Sequence, residues 1–185
     1  MQHTMFKDST IELVSISRGD LPFLQQLYAS TRADEVAAAG LLPAVAGAFL
    51  EQQFQRQHHH YQTQFPQAHF WLVHCQENPV GRFYLRHTPE HFHLIDISLL
   101  PAYRGRGIGR LLLTELLATA DRQGLPIRLH ANRDDTVFHW YQRLGFGITG
   151  SEGHYHAMCR MPSSPPASPP TGRLYRALSR QESHT

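Results

Sequence analysis

The sequence predicts a mixed α/β (α+β) fold, a central and mostly antiparallel sheet of about seven strands flanked by about four helices. Three observations lead to it. Strand-like and helix-like segments alternate along the chain in the order β-α-α-β-β-β-α-β-α-β-β. Two runs rich in aromatic and β-branched residues, 68–76 and 80–86, are separated only by Glu77-Asn78-Pro79, a turn sequence that closes an antiparallel hairpin. The apolar strand LIDISLL, residues 94–100, runs through Pro101 and a glycine-rich turn straight into the helical pattern RLLLTELLATA.

Taken in order, residues 11–16 alternate apolar and polar side chains as a half-buried strand does. Asp20 is placed to cap a helix over residues 21–30, and residues 32–43 read as partly looped. A second helix over residues 44–62 puts Phe49, Leu50, Phe54 and Tyr61 at intervals that can share one face. After the hairpin and the strand of residues 94–100, a helix over residues 107–123 carries Ile108, Leu111, Leu112, Leu116 and Ala120 on one side and stops at Gly124. A strand at 127–131, a helix at 136–144 ending at Gly145, and two closing strands at 146–149 and 155–161 complete a single domain over residues 1–161. Residues 162–185 begin with a Pro/Ser-rich stretch that cannot bury a core and read as a flexible tail, with residues 173–180 contributing at most one or two amphipathic turns.

Composition narrows the function classes. The chain has 185 residues and a formal charge of +2, too small to attract nucleic acid or a membrane surface by bulk electrostatics, so neither is expected as a partner. The N-terminus lacks the apolar core of a signal peptide and no run is long enough to span a bilayer. Cys75 and Cys159 lie in strand-like runs and read as reduced, buried thiols, which with the missing export signal gives a cytoplasmic expectation. The histidines at 58, 59 and 60 point in different directions from a helix, and His154 with His156 has no third ligand at compatible spacing, so no metal is expected.

The turn after the fourth strand carries the chemistry. Arg104-Gly105-Arg106-Gly107-Ile108-Gly109 lets the backbone turn tightly and approach a ligand, while the following helix aims its unpaired N–H groups and positive dipole end at the same point. Arg104, Arg106 and Arg110 are available to pair with phosphates, so a diphosphate fits there. The spacing meets neither the dinucleotide fingerprint nor the Walker motif.

What the turn does match is R-x-x-G-x-G, in Arg104, Gly107 and Gly109, and on these residues the chain resembles the GNAT superfamily of acetyl-CoA-dependent N-acetyltransferases. The resemblance covers residues 11–161 and is most specific at this turn and at the segment VFHWYQRLGF, residues 137–146, which is similar to the family's A-x-x-x-Y-x-x-x-G-F element. It implies the GNAT fold, with the sheet splayed at the fourth strand, and acetyl-CoA as cosubstrate with its pyrophosphate on residues Arg104, Gly105, Arg106, Gly107, Ile108, Gly109 and Arg110. It also implies that backbone groups of Leu99 and Leu100 meet the pantetheine arm and the thioester carbonyl, and that Tyr141 is the general acid. A phenol is protonated at neutral pH and can hand its proton to a departing thiolate. The family places a coenzyme-contacting asparagine six or seven residues before that tyrosine. This chain has Asp134 and Asp135 there, which cannot donate while ionised and suit helix capping equally well, and Asn132 is the nearest amide.

Asp96, in the central strand close to the expected splay, is the candidate base for the incoming amine, with His91 and His93 as weaker alternatives. Glu35 and Arg32 lie where the family selects its acceptor, but no motif carries over there. The expected activity is transfer of an acetyl group to a primary amine of a small molecule or protein by direct attack in a ternary complex, since no cysteine sits in a motif marking a covalent intermediate. The resemblance also makes a homodimer through the closing strands an option. A different reading of the same residues is a non-catalytic acyl-CoA-binding regulatory module whose Pro-rich tail docks a partner. Asp134 and Asp135 are the residues that favour it.

Overall fold

The computed structural model describes residues 10–40, 42–132, 136–163 and 172–182. In chain order the elements are β1 (Ile11–Ser15), α1 (Leu21–Thr31), α2 (Ala33–Ala38), α3 (Pro43–Gln64), β2 (His69–Cys75), β3 (Asn78–His87), β4 (Phe92–Leu99), α4 (Ile108–Gln123), β5 (Ile127–Asn132), α5 (Thr136–Arg143), β6 (Gly147–Glu152), β7 (Tyr155–Arg160) and α6 (Arg173–Glu182). The seven strands form one mixed sheet in the order β1-β2-β3-β4-β5-β7-β6. β4 and β5 are parallel, and the pairs β1–β2, β5–β7 and β6–β7 are antiparallel. No helix among the described residues is long and apolar enough to cross a membrane.

Two compact units divide the chain, Met1–Phe83 with Ile97–Gly109, and Tyr84–Asp96 with Arg110–Thr185. In the first, Leu24 and Tyr28 of α1 and Phe54 of α3 close on Leu72 of β2, with Ile16, Leu21, Phe23 and Leu50 packed around them. Each fully buried side chain of this size contributes about 1.5–3 kcal/mol, so the cluster is what fixes two otherwise polar helices on the sheet. Trp71 and Phe83, 6.3 Å apart between ring centroids, stack on neighbouring strands. Phe49, expected with this face, is instead exposed, while Ala46 is buried one turn earlier. Asp20 stands at the N-cap of α1 as expected, but its carboxylate turns back to accept from the Ser17 N–H (2.7 Å) and hydroxyl (2.8 Å), closing a single tight turn ahead of the helix.

In the second unit α4 buries Leu112, Leu113, Leu116 and Ala120, so Leu113 takes the inward place that the helical period had given to Leu111. β5 alternates strictly, with Ile127, Leu129 and Ala131 buried and Arg128, His130 and Asn132 exposed. The Asp121 carboxylate of α4 takes both nitrogens of the Arg160 guanidinium, at 2.7 and 3.0 Å, and the Ser163 N–H at 2.7 Å.

One helix lies where a loop was expected, and another runs longer than the one or two turns foreseen. α2 replaces part of the loop foreseen over residues 32–43, its first turn carrying Asp34 and Glu35, which favour a helix N-terminus, and an alanine-rich body. α6 occupies part of the tail expected to be flexible from 162 to 185. Leu174, Ala177 and Leu178 are buried along it, and Glu115 of α4 holds its start by accepting from Arg173 Nη1 at 3.0 Å and from the Leu174 N–H at 2.9 Å. A buried apolar stripe and an anchored first turn supply what a ten-residue helix cannot supply alone.

Candidate functional site

β4 sets the geometry of the site. Its parallel ladder with β5 pairs Phe92 with Ile127, His93 with Arg128 and Leu94 with Leu129, and stops there although β4 continues to Leu99 and β5 to Asn132. This is the parting expected at the fourth strand. At the far end of β4 the Leu100 N–H donates to the Val80 carbonyl at 2.9 Å, and the Leu100 carbonyl accepts from the Tyr103 N–H at 2.9 Å. Both backbone groups of Leu100 therefore have a partner within the protein. The Leu99 N–H points to the opposite strand edge from that of Leu100 by strand alternation.

The turn that follows shows why glycine is needed. Gly105 and Gly107 have φ of +70° and +87°, in the left-handed region, and a Cβ at either would meet nothing within 4 Å. Space lies open above both residues, as a cradle for a ligand's diphosphate requires. Gly109, expected in the turn, is instead the second residue of α4, and Ile108 is buried as the apolar anchor that seats the turn. α4 then presents its first N–H groups without intrahelical acceptors.

The three arginines are exposed but differ in commitment. Arg104 donates from Nε to the Leu99 carbonyl at 2.8 Å, tying the turn to the end of β4. Arg106 lies over the Tyr103 ring, 5.5 Å from its centroid. Arg110 stands on the first turn of α4. Ser98 and Leu99 are in turn pressed by Gly81 of β3, where an added Cβ would fall inside the contact radius of the Ser98 carbonyl oxygen and 2.6 Å from Leu99 Cδ2. Gly81 was not singled out from the sequence, although an isolated glycine inside a strand pattern is the usual sign of a close backbone approach.

Of the other candidates, Asp96 is half-buried on β4. Tyr141 is buried on α5, edge-on to Phe146 at 5.6 Å and stacked beside Trp140 at 5.7 Å. Asn132 is exposed at the end of β5, opposite Tyr155 of β7. Asp134 and Asp135 lie outside the described residues. Glu35 and Arg32 are spent on each other at 2.7 Å. His154 lies in the turn between β6 and β7, not on a strand beside His156, and His156 is hydrogen-bonded to the Ser151 hydroxyl at 2.7 Å. Cys75 and Cys159 are free thiols, the first buried and the second only half-buried.

His93 is the titratable group most altered by its surroundings. Burial comes first, then the positive charges of His130, His91, Arg86 and Arg128, and together they push its imidazole down to about 4. His91 is lowered for related reasons, burial first and then Arg128. At neutral pH His93 is a neutral imidazole in positive surroundings.

Comparison with known proteins adds to this geometry. The profile of the acetyltransferase (GNAT) family matches residues 35–146. Over 86 residues the chain is 35% identical to the peptidyl-lysine N-acetyltransferase YjaB of Salmonella typhimurium, covering 46% of this chain and 54% of that protein. Over 73 residues it is 36% identical to an uncharacterised protein of Mycobacterium leprae, covering 39% of this chain and 20% of that one. The chain thus spans about half or less of the length of these two relatives. The fold superimposes on the crystal structure of the PaiA N-acetyltransferase from Thermoplasma acidophilum in complex with coenzyme A with a TM-score of 0.61. The superposition covers 82% of this chain and 99% of that one at 19% identity, so the likeness is one of fold.

Proposed function

This chain belongs to the acetyltransferase (GNAT) family, and from that premise we propose that it is an acetyl-CoA-dependent N-acetyltransferase. It transfers the acetyl group to a primary amine of a small molecule or protein, by direct attack in a ternary complex. The observation that carries the reading is the turn between β4 and α4. Two glycines are held at positive φ with open space where side chains would be, ahead of a sixteen-residue helix whose first N–H groups need acceptors. That arrangement suits the diphosphate of coenzyme A, with Arg104, Arg106 and Arg110 supplying countercharge.

Bound acetyl-CoA supplies an acetyl group already activated as a thioester. The Leu99 N–H holds the carbonyl oxygen, where negative charge develops as the amine attacks. Asp96 accepts the proton that the amine loses on forming the new C–N bond, and Tyr141 gives its phenolic proton to the sulfur as the C–S bond breaks. Asn132 and Asp135 are the remaining coenzyme contacts in this reading. A peptidyl-lysine acceptor, the one in the printed name of the Salmonella relative, is among the amines this scheme admits. In this reading the reaction takes place in the cytoplasm.

The test is transfer of label from radiolabelled acetyl-CoA into an extract of the source cell, with products separated into protein and small-molecule fractions. Wild type should label one of them, and Tyr141→Phe should do so about 100-fold more slowly with acetyl-CoA affinity kept. Acetyl-CoA binding with no transfer into either fraction would overturn the proposal. Equal rates for Tyr141→Phe would remove Tyr141 from its role.

A further inference from the structure

The second unit carries a positively charged sheet face that the scheme above does not use. The parallel register sets His93 of β4 opposite Arg128 of β5, and the His93 and His130 rings lie 5.8 Å apart. Because Ile127, Leu129 and Ala131 turn inward, Arg128 and His130 both project from the open side of β5. Their partners across the next ladder are Cys159 and Ala157 of β7, whose short side chains leave the imidazole and the guanidinium standing clear of the sheet. Arg86 at the end of β3 and His91 ahead of β4 complete the cluster, since both act electrostatically on His93. The carboxylate of Glu90 acts on His91. Among the described residues neither Arg86 nor Arg128 is in a salt bridge.

We propose that this face, Arg86, His91, His93, Arg128 and His130, is a binding site for a small carboxylate anion. The proposal does not rest on the transferase reading. Two guanidiniums that remain charged at every working pH give the anion fixed countercharges. Burial and neighbouring positive charges hold the His93 imidazole down, and an anion bound beside it offsets those charges. The same face disfavours polycationic amines, whose approach it repels.

The experiment titrates succinate into the full chain while following the imidazole C–H resonances of His93 and His130 by NMR, with assignments from His93→Gln and His130→Gln. Both resonances should move saturably with succinate. Arg128→Gln should weaken succinate at least tenfold, and Arg128→Lys, which keeps the charge, should stay within about threefold of wild type. No response to succinate, or an unchanged affinity in Arg128→Gln, overturns the proposal. So does displacement of succinate by coenzyme A, which would assign the face to the coenzyme's phosphates. Since the readout is binding, a saturable response in a protein that transfers no label would sustain this site while overturning the catalytic reading. Turnover without any response would do the reverse.

Discussion

A methyl group at position 81 tests how tightly β3 closes on the end of β4. An ideal Cβ there would lie inside the contact radius of the Ser98 carbonyl oxygen, 2.6 Å from Leu99 Cδ2 and 3.2 Å from Leu99 Cα. The leucine side chain can rotate away. The carbonyl and the Cα cannot yield unless β4 moves, so Gly81→Ala should fall in the upper part of the overpacking range, about 2–3 kcal/mol. Restricting the unfolded chain returns about 0.4–1 kcal/mol, leaving a net loss of about 2 kcal/mol. That is roughly a 30-fold shift in the folding equilibrium, measurable by urea unfolding followed by circular dichroism. Because the residues forced to move are Ser98 and Leu99, acetyl-CoA affinity should fall in the same variant. Gly107→Ala separates the two effects, since its Cβ would meet nothing within 4 Å and only its φ of +87° resists, at about 1–2 kcal/mol. Wild-type stability and wild-type acetyl-CoA affinity in Gly81→Ala would refute the close approach and with it the positioning of Leu99.

Two further outcomes follow from the second unit. Asp121→Asn leaves the Arg160 guanidinium without its countercharge at a site where the two side chains are 13% and 11% exposed, and should cost about 3 kcal/mol, the low end for orphaning a buried partner. Burial alone would raise the Asp121 carboxyl, but hydrogen bonds from Arg160 and the Ser163 N–H, with the Arg160 charge, hold it below its usual range. Its stabilisation is therefore complete above about pH 4, the unfolded value, and is lost as pH falls through the lower folded value. Unfolding free energies measured down the acid range should converge for wild type and variant, and a constant gap would contradict the assignment. Glu115→Gln should loosen α6 by about 1–2 kcal/mol, since it removes the charge that accepts from Arg173 and the Leu174 N–H. Hydrogen exchange should quicken across residues 174–182 while β5 keeps its protection, and unchanged exchange there would remove Glu115 as the anchor.

What was legible in the sequence is what the backbone determines locally. The turn at 104–109 declares itself because positive φ demands glycine, and because a strand before it and a helix after it each have their own period. The order of elements was readable for the same reason. α2 escaped notice because six residues give too short a window for a helical period, and the full length of α6 because it follows a Pro/Ser-rich stretch and takes its hold from Glu115, 58 residues before Arg173. The exposure of Phe49 could not be foreseen either, since a helical period assigns a face but not which part of that face meets the sheet.

The same distinction separates the two halves of the proposed chemistry. A diphosphate is held by main-chain N–H groups and glycines consecutive along the chain, so its site leaves a contiguous signature. The proposed anion face is assembled from side chains on three strands, and His93 meets His130 only because β4 and β5 run parallel with a helix between them. Neither residue has a neighbour in sequence that marks it, and fourteen histidines scattered along the chain hide the pair. Parallel pairing requires a crossover connection, which necessarily places the partners far apart in sequence. Anion binding on this face depends on the register of two strands. A one-residue slip of β5 would turn Arg128 and His130 to the buried side and bring Leu129 to the open face. The apolar alternation of β5 that builds the core therefore also holds the charges in place.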